Sequence, residues 1–188
     1  MERKNSFVFL GSPAGVVAPQ LLGCVLERTI GNKKICVKIV ETEAYDEHDV
    51  ASHSYNGKTK RNEVMFGPAG YLYVYFTYGM HYCCNVVCGL VGQGSAVLIR
   101  AVEPLPDNTS STHHKQTNGP AKLCKFLEID RSMNGHNLHQ KPLRLIITPP
   151  LAKQHIVQTK RIGLSKGKDV PWRFYIKDSP YVSRPSLP

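Results

Sequence analysis

The stretch KICVKIVETEAY, residues 34–45, decides the fold. Ile35, Val37 and Ile39 are β-branched and recur at every second position, a pattern that predicts a half-buried strand. Side chains two apart share one face of a strand, so pleat parity places Ile39, Glu41, Glu43 and Tyr45 together. Before it, GNKK at 31–34 reads as a turn, and CVLERTI at 24–30 as the other arm of a hairpin.

Further along, YLYVYFTYGMHYCCNVVC at 71–88 divides into two strand-like runs that meet at a Gly79 turn. Tyr71, Tyr73 and Tyr75 share one face of the first run, and Leu72, Val74 and Phe76 the other. A hairpin here leaves Tyr78 near its tip. SAVLIRAVEPL at 95–105, LRLIITPP at 143–150 and WRFYIKD at 172–178 supply further strands. Helices are expected around APQLLG at 18–23 and over GPAKLCKFLEI at 119–129, where Pro120 suits a first turn. Residues 46–70 read as a basic loop, 104–118 as a polar loop and 179–188 as an irregular tail. The class that follows is α+β: one compact domain over 1–188, a curved and mainly antiparallel β-sheet with peripheral helices and a protruding β-hairpin.

The chain has 188 residues, with 24 Lys and Arg against 14 Asp and Glu, a formal charge of +10. That excess points to an anionic partner. No stretch approaches the roughly 18 unbroken apolar residues of a spanning helix, so no membrane is expected. MERKNSFVFLGSPAGVVA mimics a signal peptide, but GSPAG interrupts its apolar run too early, so it reads as mature sequence. The six cysteines lie mostly in apolar runs and read as reduced core residues. HYCCNVVC at 81–88 lacks the C-x-x-C spacing of a zinc site, and no metal is expected.

Against this basic background, four acidic side chains crowd 41–47, and they need a reason. Glu41 and Glu43 on one strand face lie about 7 Å apart at roughly 3.3 Å rise per residue. That spacing suits an inverting glycoside hydrolase, or equally a solvated strand edge. An aromatic at a hairpin tip suits insertion into stacked bases. Tyr45 and Tyr75 with His53 could sandwich a planar base, at about 1–3 kcal/mol per stacked base. An enzyme acting on nucleic acid and a module that only binds distorted nucleic acid both satisfy these features.

LLGCVL, IVETEAY, HS at 53–54, TKRN, YLYVYFTYGMHYCCNV, VLIRAVEPL, NGPAKLC, RIG at 161–163 and WRFYIKDSPYVS are similar, in order and spacing, to the alkyladenine (3-methyladenine, or methylpurine) DNA glycosylase family. The resemblance implies a domain that binds the DNA minor groove, flips a damaged purine nucleotide and hydrolyses its N-glycosidic bond. It implies Glu43 as general base, with Arg100 beside it and the attacking water. Tyr45, His53 and Tyr75 match the walls of the base pocket, and Asn85 the residue that crowds the 2-amino group of guanine. Tyr78 matches the wedge left in the duplex. Glu41 has no chemical role in that mapping, and Asp46, Glu47 and Asp49 read as loop or capping residues. The expected partner is double-stranded DNA containing damaged purines, bound by a monomer without cofactor. The expected location is the nucleoid-containing cytoplasm in a bacterium, or the nucleus in a eukaryote.

A surface that contacts about five phosphates sets a salt dependence. The logarithm of the duplex binding constant should fall against the logarithm of salt concentration with a slope near about −4 to −5, measured by fluorescence anisotropy. An affinity indifferent to salt would contradict a DNA-tracking surface.

Overall fold

A computed structural model of the chain describes residues 7–77, 79–106 and 114–183, and is organised around one long strand. The strands are β1 (Val25–Ile30), β2 (Lys33–Tyr45), β3 (Tyr71–Thr77), β4 (His81–Val87), β5 (Ala96–Pro104), β6 (His136–Asn137), β7 (Leu143–Ile146), β8 (Ile156–Thr159) and β9 (Arg173–Ile176). Together they make one sheet in the order β6-β3-β4-β5-β2-β1-β7, with β9 joined to β2 and β8 joined to β9. The recorded pairings are all antiparallel. β2 is central because its 13 residues serve three partners. Its first half pairs with β1, its second half with β9, and β5 runs along 37–45.

The β1–β2 turn is the expected hairpin: Ile30 pairs with Lys33, and Gly31 takes φ +55° in the two-residue connection. Positive φ at that first central position is what glycine supplies at no steric cost. β3 and β4 also pair as expected, with Thr77 opposite His81. Tyr78, expected at the tip, lies outside the described residues.

The parity expected for β2 fails at one point. Ile39 pairs with Val102 and Glu41 with Ala101, so Val40 is an extra residue on β2; Thr42 then pairs with Ile99, which makes Arg100 an extra residue on β5. A bulge reverses which face later residues occupy. Ile35, Val37 and Ile39 therefore belong to the main core, whereas after the bulge it is Ala44 that joins them. Thr42 lies on the same side and donates its hydroxyl to Ala18 O at 3.0 Å. Glu41, Glu43 and Tyr45 still share a face, but without Ile39.

The main core also holds Leu72 and Val74 of β3, Cys84 and Val86 of β4, and Val97 and Ile99 of β5. It is covered by α1 (Ala14–Gln20) and α3 (Pro120–Phe126). A smaller cluster of Met65, Tyr73, Val87 and Ala96, with Tyr71 and Tyr75 packed on it, occupies the opposite face of β3. The tyrosine alternation in 71–75 is thus realised in full.

Helix α1 begins earlier than expected. Pro13, with an extended ψ of 149°, precedes its first turn, and the chain turns out of the helix at Leu21. The polar segment 104–118 carries one short helix, α2 (His114–Thr117), and the basic segment 46–70 carries a 3₁₀ turn at Glu63–Phe66. The cysteines are free thiols, and all but Cys36 are buried. Among the described residues no helix is long and apolar enough to cross a membrane.

Two loops that shape the site meet at Gly94. Its N–H donates to Glu47 Oε2 at 2.9 Å, and its carbonyl accepts the Ser54 hydroxyl at 2.7 Å. A Cβ placed there would lie 2.5 Å from Ser54 Cβ and 2.6 Å from the Phe66 ring. Gly94→Ala should therefore destabilise the protein by about 1–3 kcal/mol through overpacking. Thermal denaturation should show the midpoint falling by about 2–4 °C for each kcal/mol. An unchanged midpoint would show that the two loops do not pack this closely.

Candidate active site

Because the bulges turn Glu41, Glu43 and Arg100 to one side, three charged side chains meet where a strand would ordinarily bury apolar ones. Glu41 and Glu43 are both 0% exposed. A buried carboxylate is tolerated only when it is paired and its lone pairs are satisfied. Arg100 does this for both: its Nε donates to Glu41 Oε1 and its Nη1 to Glu43 Oε2, each at 3.1 Å. Burial works against the guanidinium charge, but Glu43 and then Glu41 outweigh it and hold the Arg100 pKa above its ordinary value.

The two acids differ in what else they accept. Glu41 Oε1 takes Arg173 Nε at 2.8 Å and the Ser183 hydroxyl at 2.9 Å, and its Oε2 takes Ser183 N–H at 2.7 Å. Three of these four donors fall on Oε1 and one on Oε2, and together they make Glu41 an anchor for β9 and the tail. Glu43 accepts three donors: Arg100, the Tyr45 hydroxyl at 2.8 Å, and Ile162 N–H at 2.8 Å on Oε1. A carboxylate has about four lone-pair positions, so one remains.

The three donors to Glu43 all line a cavity of about 360 Å³. That volume lies within the roughly 300–1,000 Å³ usual for small-molecule sites. His53, Tyr73, Tyr75 and Asn85 complete its polar and aromatic wall, with Met65, Cys83 and Leu98 as apolar filling. Of the residues singled out from sequence, Tyr45, His53, Tyr75, Asn85 and Arg100 line the cavity, and Glu43 lies directly behind the wall they form. Asn85 is buried and donates its amide to Tyr73 O at 3.1 Å.

Tyr45 and Tyr75 keep their protons. Burial, then the Glu43 charge, raises the Tyr45 pKa far above that of free tyrosine, and burial with the Cys83 thiol does the same for Tyr75. Burial likewise pushes Cys83 up to about 11. His53 stands edge-on to Tyr75, ring centroids 4.6 Å apart, and its Nδ1 lies 3.0 Å from Tyr73 Oη. Burial raises the Tyr73 pKa, with the nearby Arg61 charge working against it. Partial burial of the ring, then the Arg61 charge, lowers the His53 pKa.

Sequence reasoning missed the device that closes the site. Arg161, buried, lies over the Tyr45 ring at 4.6 Å and over the Trp172 ring at 5.7 Å. Its Nη1 donates to Ala44 O at 2.9 Å and pairs with Asp49, and its Nη2 donates to Asp49 Oδ1 at 2.9 Å and Gly167 O at 3.1 Å. Asp49, read as a loop or capping residue, does cap its loop by accepting Ala51 N–H at 3.0 Å, and it is also the buried counter-ion that fixes Arg161, and with it the neighbouring Ile162 N–H. Asp46 and Glu47 do serve the loop, accepting from His48 N–H and Gly94 N–H. Tyr73 was legible from the tyrosine alternation; a backbone N–H at Ile162 leaves no trace in residue type.

Because the His53 pKa is depressed in the folded chain, the unfolded chain takes up its proton first. This contribution to stability is therefore whole above about pH 6.5, the unfolded value, and is lost as pH falls toward the folded pKa. An NMR titration of the His53 ring should give a midpoint below that of free histidine, and Arg61→Gln should raise it. A midpoint at or above the free value would mean the ring is not partly buried in this way.

Residues 8–180 match the family described as methylpurine-DNA glycosylase. The chain is 50% identical over 177 residues to a protein of Carboxydothermus hydrogenoformans, covering 90% of this chain and 93% of that one, which bears the name "Putative 3-methyladenine DNA glycosylase". The same name is carried by a protein of Francisella tularensis subsp. tularensis, 49% identical with 89% and 92% covered, and by one of Methanoculleus marisnigri, 46% identical over 180 residues with 89% and 92% covered.

Proposed function

The chain belongs to the methylpurine-DNA glycosylase family, and from that premise we propose that it removes alkylated or deaminated purines from duplex DNA by a single-carboxylate hydrolysis. The observation that carries this reading is Glu43, buried against an aromatic cavity of about 360 Å³ with three donors placed and one acceptor position left.

In this reading the nucleotide leaves the stack and its base enters between Tyr45, His53 and Tyr75. Each stacked ring contributes about 1–3 kcal/mol. Alkylation at N3 or N7 puts positive charge on the purine, so the base leaves with little acid help. Water placed at Glu43 attacks C1′ and gives up its proton to the carboxylate. The C1′–N bond breaks with its electron pair leaving on the base, and the products are free base and an abasic sugar. Glu43 and Arg100 orient the water, and the Glu43 charge stabilises the oxocarbenium-like carbon.

Glu43 is enclosed, and the Tyr45 hydroxyl covers Oε2 at 2.8 Å. Oε2 already accepts Arg100 and Tyr45, so the remaining position is on Oε1 beside Ile162 N–H, and water reaches it by a small shift of the wall that Tyr45 and Ile162 form. Asn85 lies in the wall where it would crowd a guanine 2-amino group. Tyr78 holds the vacated place in the duplex. No lysine lines the cavity among the described residues, which supports hydrolysis without a Schiff-base step. The substrates are 3-methyladenine, 7-methylguanine, hypoxanthine and ethenoadenine lesions, and the protein acts as a monomer.

Incubating the protein with duplex containing one hypoxanthine or 1,N6-ethenoadenine, then cleaving with alkali, tests this directly. The wild type should release base, Glu43→Gln should lose excision by about 10²-fold or more while still binding lesion duplex, and Tyr45→Phe, which uncovers Oε2, should retain far more activity than Glu43→Gln. Excision by Glu43→Gln at the wild-type rate would sink the mechanism.

A further inference from the structure

A second cavity, of about 400 Å³, lies on the other side of Tyr75. We infer that it binds a phosphodiester of the same DNA strand whose base occupies the first cavity, an assignment that rests on the DNA-repair reading above. Its polar lining is Lys60, Arg61, Arg131 and Asn134, and no carboxylate is among the residues that line it. Asn134 is fixed by accepting Val74 N–H on its carbonyl at 2.9 Å, and its amide offers N–H donors. A wall of three cations and an amide donor, with no carboxylate, recognises an anion. None of the three cations forms an ion pair with a carboxylate among the described residues.

The backbone segments that carry the cations are tied down, which places the three charges around one cavity. Asn62, buried, ties the loop that carries Lys60 and Arg61: its amide donates to His53 O at 2.7 Å and Gly57 O at 3.0 Å, and its carbonyl accepts Thr59 N–H at 2.6 Å. Arg131 opens a 3₁₀ turn whose cap, Asp130, accepts Ser132 N–H at 2.8 Å and the Ser132 hydroxyl at 2.6 Å, both on Oδ1.

Size and position select a phosphodiester over a free anion. The cavity is larger than a phosphate needs, and half-exposed Phe76 beside the cations offers apolar surface to a sugar. Tyr75 lines both cavities, so they adjoin across one residue of β3, as a base adjoins a phosphate of its own strand. The Arg61 charge acts on Tyr73 and His53, which line the first cavity, so a phosphate here would be felt in the base pocket.

The test uses lesion duplexes in which each phosphodiester near the lesion is replaced in turn by a neutral methylphosphonate. Binding is compared between the wild type and Lys60→Gln/Arg131→Gln, whose side chains do not line the base pocket. One linkage should be singled out: neutralising it should weaken the wild type by roughly tenfold or more but the variant by no more than about twofold. The variant's salt slope should be shallower by about 1–2. If each substitution weakens both proteins alike, the cavity holds no backbone phosphate. If inorganic phosphate binds the wild type tightly and no linkage is singled out, it is a free-anion site and the DNA assignment is overturned. These measurements read affinity alone, so failure here with intact base release would leave the glycosylase reading standing.

Discussion

The structure turns on one shared guanidinium. Two carboxylates on one strand face, both sealed from water, repel each other in surroundings where charge is poorly screened. Arg100 lies between them and donates to each, so neither is buried alone. Everything else about the site hangs from those two acids. Through Glu41 come β9, by Arg173, and the tail, by Ser183; through Glu43 come the pocket wall at Tyr45 and the returning loop at Ile162. Buried acid and base balance here: Glu41, Glu43 and Asp49 against Arg100, Arg161 and Arg173.

Much of this architecture was legible because side-chain period reports backbone state. β2, the β3–β4 hairpin, β5 and α3 all carry clear alternation or capping residues, and all stand where those patterns put them. The bulge was not legible, since Val40 is as apolar as its neighbours and only its place opposite β5 reveals it as the extra residue. α1 was displaced in the sequence reading because Pro19 suggests a first turn, while the turn that forms starts after Pro13. β6 and β8, short and set by their partners, have no period of their own to detect.

The candidate site divides in the same way. Glu43, Tyr45, Tyr75, Asn85 and Arg100 sit on strands, where alternation and motif spacing constrain them, and the fold brings them to one cavity. Asp49 and Arg161 lie 112 residues apart in sequence, and neither looks unusual in its own neighbourhood. Their pairing exists only because the loop after β8 crosses the end of β2. Such long-range ion pairs are invisible to local pattern and visible only once the chain has closed.

The open flank of β3 has a further consequence. β6 pairs with β3 only at Tyr71 and Leu72, and among the described residues no other strand covers the side beyond. Asn134 takes the Val74 N–H, but an edge with so short a partner strand still invites a second copy to add to the sheet, and half-exposed Phe76 would favour that union. Lys60, Arg61 and Arg131 stand along this flank, so two copies approaching edge to edge would bring six positive charges together. Like charges brought that close repel, so a chain that replaced these cations with neutral residues would remove the repulsion that opposes a second copy at this edge.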